Sequence, residues 1–111
     1  MKKAFMFAFI LCWLLVVTLA RASAGSIKIV RFWTEFDYAY ALVDYLNDSM
    51  NTYENGVTIN CAALDSENKR IGTNQRNLSA SIRPGFQRTI EIPVRLHGEE
   101  MKSMTCNVIE K

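Results

Sequence analysis

The side chains that most often carry catalysis or hold metals are few in this chain of 111 residues. There is one histidine, His97, and there are three cysteines, Cys12, Cys61 and Cys106. Cys12 lies inside an N-terminal apolar run, which leaves Cys61, Cys106 and His97 for the rest of the chain. A structural zinc ion takes four ligands, and no second cysteine pair is present to complete such a set. A general base must stand within reach of the reacting group, yet His97 stands alone beside Gly98 in an acidic loop. The carboxylate pairs Glu35 with Asp37 and Glu99 with Glu100 read as solvated surface charge. Asp65-Ser66-Glu67-Asn68 carries oxygen ligands, but in a turn too short for a calcium loop. No glycine-rich phosphate loop occurs. The expectation is a non-enzymatic protein with no catalytic residue, cofactor or metal. Its Cys61 and Cys106 are expected to form a disulfide, with two reduced thiols as the alternative.

The compartment follows from the N-terminus. Lys2 and Lys3 give a positive start, and Ala4 to Ala20 is an apolar run interrupted only by Thr18. Ala22-Ser23-Ala24 then supplies small residues at the two positions that a signal peptidase inspects. Residues 1–24 are accordingly expected to form a removable signal helix, and residues 25–111 a single domain. A cut after Ala22 also fits, because Ala20-Arg21-Ala22 repeats the pattern. The rival is an uncleaved anchor, the run lying at the short edge of the spanning range. Cys12 lies mid-run, not at the end where lipid attachment would need it. The chain is expected to be secreted or periplasmic, meeting the membrane only transiently through its signal peptide. Disulfides persist in such a compartment.

Charge supports this division. The whole chain has 13 basic and 11 acidic residues, a net +2. Lys2, Lys3 and Arg21 leave with the leader and no acid does, so +2 becomes −1. A near-neutral domain is a poor match for nucleic acid, which selects a basic face, so no nucleic-acid partner is expected.

The elements come from alternation and turns. Ile27 to Phe36 is rich in β-branched and aromatic residues and reads as a strand. In strict alternation Ile27, Ile29, Arg31, Trp33 and Glu35 share one face. Tyr38 to Met50 is ambiguous. Tyr38, Ala41, Leu42, Tyr45 and Leu46 fall at helical spacing with Asp37 as a cap, yet the stretch also reads as a strand apolar on both faces. Asn47 to Gly56 is rich in turn residues. Val57 to Leu64 is a strand that points Val57, Ile59, Cys61 and Ala63 one way. Arg70 to Thr73 and Asn77 to Ile82 read as two short strands, and Pro84-Gly85 as a turn. Phe86 to Leu96 alternates cleanly, and Pro93, which cannot donate to a ladder, either places it at a sheet edge or turns that position outward. Met104 to Ile109 ends the chain's pattern. About seven short strands joined by polar turns imply an all-β, antiparallel, immunoglobulin-like β-sandwich.

The series Asn47-Asp48-Ser49, Tyr53, Val57-Thr58-Ile59, Leu64-Asp65, Lys69-Arg70-Ile71-Gly72 and Pro84-Gly85 resembles the FxLyD family. Its members are small secreted bacterial β-sandwich domains. The resemblance covers roughly residues 41–96. Cys61-Ala62-Ala63-Leu64-Asp65 stands at the family's namesake motif, where the aspartate matches. The resemblance implies the fold, and it implies that Tyr38 to Leu46 is the strand before the Asn47-Asp48-Ser49 turn. It implies no activity.

One feature points toward a partner. Phe32, Trp33, Phe36, Tyr38, Tyr40, Tyr45 and Tyr53 crowd the first part of the domain, and Phe86 alone lies beyond it. Tyrosine and tryptophan supply rigid contact area at interfaces, while core filling is the competing use of the same residues. Phe32, Trp33, Phe36, Tyr38 and Tyr40 are the candidate partner surface. The function expected is an exported, non-enzymatic binding or structural module of the cell envelope, meeting a protein partner or a second copy of itself. An inhibitor of an exported hydrolase, such as a lysozyme or protease, is the alternative.

Overall fold

A computed structural model describes residues 24–111. Residues 1–23 of the expected signal helix, Cys12 among them, lie outside the described residues, whereas Ala24 belongs to the folded domain. Six strands follow in order: β1 (Ser26–Glu35), β2 (Tyr38–Leu46), β3 (Val57–Leu64), β4 (Arg70–Leu78), β5 (Gln87–Arg95) and β6 (Ser103–Glu110). They form two three-stranded sheets, β1-β2-β5 and β4-β3-β6, with every pairing antiparallel. The two sheets pack as a β-sandwich, the all-β class that the alternation and turn spacing imply.

The ambiguous stretch is a strand, β2, at the centre of its sheet. Ala39, Ala41, Val43 and Tyr45 are each 0% exposed, while the residues between them face outward. A helix would have offered one apolar stripe to the core. Pairing on both sides, with β1 and β5, satisfies the backbone and buries the alternate residues instead. Tertiary pairing overrides the local helical spacing. Asp37 does not cap a helix; its Oδ1 accepts the Gly98 N–H at 2.8 Å.

The count of strands is six, not the seven expected. Arg70–Thr73 and the start of the Asn77–Ile82 stretch belong to one continuous strand. Asn74, Gln75 and Arg76, polar residues that read as a break, pair residue for residue with Cys61, Asn60 and Ile59 on β3. Strand pairing uses the backbone, so polar side chains on an edge strand do not interrupt it. Ile82 lies beyond β4 and forms an isolated bridge with Tyr53.

In the second sheet Cys61 and Cys106 are direct cross-strand partners on β3 and β6. Their Cα atoms are 4.1 Å apart and their sulfurs are bonded. Met104 and Val108 flank Cys106 on the buried side, opposite Ala63 and Ile59, so the disulfide lies within one sheet on its core-facing side.

The sheets close on one another at the β4–β5 corner. β5 is an edge strand whose carbonyls at Glu91, Pro93 and Arg95 face β4. Arg76 Nη1 donates to the Glu91 carbonyl at 3.2 Å, and Asn74 Nδ2 to that of Pro93 at 2.6 Å. Next in this series is Gly72, where a Cβ would stand 2.1 Å from the Arg95 carbonyl oxygen. Only a residue without a side chain allows that approach.

At the end of the sandwich beyond Leu46, Asn47 gathers the loops. It is 0% exposed. Its Nδ2 donates to the carbonyls of Asn51 (2.9 Å) and Ile82 (3.2 Å), and its Oδ1 accepts the N–H (3.1 Å) and Oγ–H (2.6 Å) of Ser49. Its own carbonyl accepts the Gly85 N–H at 2.8 Å. The β2–β3 and β4–β5 connections are thereby tied to one buried amide.

Two stability changes follow. Gly72→Ala forces the sheets apart at the β4–β5 corner and is expected to cost about 1–3 kcal/mol, as overpacking of a close contact does, with urea unfolding as the measurement. The disulfide closes a loop of 45 residues. Replacing Cys61 and Cys106 together by alanine is expected to cost about 4 kcal/mol in the chain-entropy model. Intact mass should rise by two hydrogens on reduction of the wild type.

Candidate functional site

The outer face of β1-β2-β5 carries most of the candidate surface, and a β-bulge puts it there. Ile27 and Ile29 on β1 stand opposite the buried Tyr45 and Val43, so they face the core. Strict alternation would place Arg31 and Trp33 on that same face. The register instead shifts between Ile29 and Arg31, with Val30 as the extra residue. A one-residue slip reverses the faces. Beyond it Arg31 stands opposite Leu42, Trp33 opposite Tyr40 and Glu35 opposite Tyr38, all on the outward side of β2.

The result is a grid of three rows across three strands. Trp33, Tyr40 and Pro93 form the middle row. Trp33 and Tyr40 stack with ring centroids 5.5 Å apart and planes 19° from parallel, and Tyr38 lies 6.3 Å from Tyr40. The Arg31 guanidinium carbon is 4.6 Å from the Trp33 ring centroid, within cation–π range. Arg31, Leu42 and Glu91 form one flanking row, and Glu35, Tyr38 and Arg95 the other. A core of rings is thus bounded at its corners by charges of alternating sign, Arg31, Glu91, Arg95 and Glu35.

The other two candidate residues lie elsewhere. Phe32 stands opposite the buried Ala41, on the opposite side of β1 from Trp33, and is 42% exposed at the sheet edge. Phe36 occupies the tip of the β1–β2 turn, 98% exposed and with φ of 58°. A bulky residue is disfavoured in that left-handed region. The turn is held by Asp37, whose carbonyl accepts the Leu96 N–H at 2.8 Å and whose carboxylate meets Arg95 Nε at 3.4 Å. The Gly98 N–H holds the Asp37 carboxyl below its ordinary range, against a small desolvation effect, with Arg95 and His97 adding to the lowering. Asp37 therefore joins the turn to the β5–β6 loop. His97, Glu99 and Glu100 are exposed on that loop. Asp65 is likewise occupied locally: the Lys69 and Glu67 N–H groups bond its Oδ1 and lower its carboxyl.

A second surface was not legible in the sequence. On the outer face of β4-β3-β6, Gln75, Asn60 and Asn107 form one row and Thr73, Ala62 and Thr105 the next. Asn60 Nδ2 donates to Asn107 Oδ1 at 3.3 Å. These residues and Arg70 line a shallow open depression over the small side chain of Ala62. It presents amide and hydroxyl groups with little charge. Its residues come from three strands spread over the whole domain, and only the period-2 run of polar residues in each strand hints at them.

The rings on the opposite side of β2 are structural. Tyr45 is 0% exposed and its hydroxyl donates to the Ala24 carbonyl at 2.9 Å. Burial pushes this phenol up to about 12, with smaller contributions from Tyr53 and Asp48.

No family model and no curated protein matches the chain. Among solved structures it is similar to a beta-glucosidase from Kluyveromyces marxianus in complex with glucose. The identity is 16% and the TM-score 0.38, over 78% of this chain and 14% of that one. The chain thus spans a small part of that protein's length.

The Tyr45 phenol gives a pH prediction. Its folded value lies above the ordinary value of 10, so its contribution to stability is complete below pH 10 and is lost as pH rises toward 12. Urea midpoints should fall over that interval in a chain that includes Ala24, and should fall less in Tyr45→Phe.

Proposed function

We propose that this is an exported, non-enzymatic binding module that recognises a protein or envelope component through the outer face of β1-β2-β5. The observation that carries the reading is the stacked Trp33–Tyr40 pair, extended by Tyr38 and Arg31, on the solvent side of the sheet. Rings that only filled a core would face β3. These are held rigid by their strands and by one another, so little side-chain freedom remains to be lost on binding. Phe36 extends the surface to the turn tip, where nothing in the core requires a phenylalanine.

The disulfide supports the export part of the reading. The Cys61–Cys106 bond belongs to a small domain, and disulfides of this kind are characteristic of secreted and periplasmic chains. Among the described residues no helix is long and apolar enough to cross a membrane. The leader-like N-terminus supplies the route. The resemblance to the FxLyD family agrees with such a location and adds no activity.

The alternating corner charges also suit a second copy of the chain. A two-fold axis along the strands sets Arg31 against Glu91 of the partner subunit, and one across them sets Arg31 against Glu35 of the partner subunit. Both pairings are of opposite sign.

Pull-down from envelope extract with wild type, Trp33→Ala and Phe36→Asn, each checked for its fold by circular dichroism, tests the surface. Trp33→Ala is expected to reduce recovery of the specific partner at least about tenfold, the scale of an aromatic hot spot. Equal recovery with all three proteins would reject a Trp33-centred surface. Sedimentation of the wild type distinguishes self-association, which Trp33→Ala should weaken.

A further inference from the structure

We propose that the leader is removed after Ala22, so that the exported chain begins at Ser23. This rests on the reading of the N-terminus as a removable signal. The sequence alone allows two cuts, after Ala22 or after Ala24, because small residues stand at both sets of inspected positions.

Ala24 is part of the folded domain. It is 1% exposed and belongs to the hydrophobic core. Its N–H donates to the Val108 carbonyl at 3.3 Å, on the edge strand β6 of one sheet. Its carbonyl accepts the buried Tyr45 hydroxyl from β2 of the other sheet at 2.9 Å. One residue thus bonds both sheets at the corner opposite the β4–β5 seam. Gly25 then leads from Ala24, hydrogen-bonded to β6, into β1. Its φ is 114°, and a Cβ there would stand 2.7 Å from the Leu46 carbonyl oxygen and 2.9 Å from the Tyr45 ring. The close approach and the left-handed backbone make this a built junction.

A cut after Ala24 would remove the methyl group from the core, the donor to Val108 and the acceptor of Tyr45. A buried hydroxyl that loses its partner is costly to leave unmade. A cut after Ala22 keeps all three contacts, with Ser23 as the new terminal residue.

The test uses the full chain expressed in an exporting bacterial host, with intact mass and N-terminal sequencing of the exported product. The expected terminus is Ser23. A terminus at Gly25 overturns the proposal and leaves the leader reading standing. An exported chain that retains Met1 overturns both. A second variant separates the two cuts without touching the fold. Ala20 stands at the outer inspected position for a cut after Ala22 and at neither position for one after Ala24. Ala20→Lys is therefore expected to reduce the Ser23 species at least about tenfold. Undiminished Ser23 product in that variant would also overturn the assignment.

Discussion

The free backbone edge of β5 is the constraint around which the sandwich closes. Its carbonyls at Glu91, Pro93 and Arg95 point away from β2, and backbone groups in a packed corner must find partners. A further strand in the same sheet would satisfy them, but Pro93 has no N–H to offer such a neighbour. Side chains of the other sheet bond two of them instead. Arg76 and Asn74 reach two carbonyls, and Gly72 lets the backbone of β4 come close to the third. Three residues spaced by two along β4 thus meet three residues spaced by two along β5. The spacing of the sheets and the volume left for the core both follow from this seam.

The opposite corner is closed differently. There Ala24, just before β1, bonds across to β6, and Tyr45 fastens it from inside the core. With Asn47 holding the loops at one end and Asp37 the turns at the other, the domain is tied at both corners and both ends. Polar contacts do most of this tying, while the apolar core between them sets large side chains such as Tyr45, Ile59, Ile82 and Ile92 beside small ones such as Ala39, Ala41 and Ala63. A small domain of this size buries limited apolar surface, and the Cys61–Cys106 bond adds stability by restricting the unfolded chain. The outer faces are then free of structural duty. One carries rings and alternating charge, the other amides and hydroxyls.

Much of this was legible residue by residue. Phe86 to Leu96 alternates so cleanly that its buried face could be assigned from sequence, and Val57, Ile59, Cys61 and Ala63 of β3 are buried as their spacing implies, although Thr58 and Ala62 are buried too. With Cys12 set apart, Cys61 and Cys106 were the expected pair, two reduced thiols being the alternative, and the structure joins them. Two features were not legible, each for a physical reason. β4 looked interrupted because Asn74, Gln75 and Arg76 are polar, yet two of them are polar in order to bond β5, a contact made across the sandwich. Trp33 was assigned by strict alternation to the face of Ile29, and the bulge at Val30 moved it to the other.

The order of types along the chain determined an all-β domain, its turns and its one cysteine pair, because period-2 burial and turn chemistry are local. It also determined the concentration of aromatic residues near the domain's start. Which of those rings meet solvent was decided only by the tertiary structure. A single extra residue in β1, set by its register against β2, chooses the face of every side chain after it, and register is a property of two strands, not one. The standing of Ala24 was decided in the same way: in sequence it is the last small residue of a cleavage motif, and in the fold it bonds both sheets.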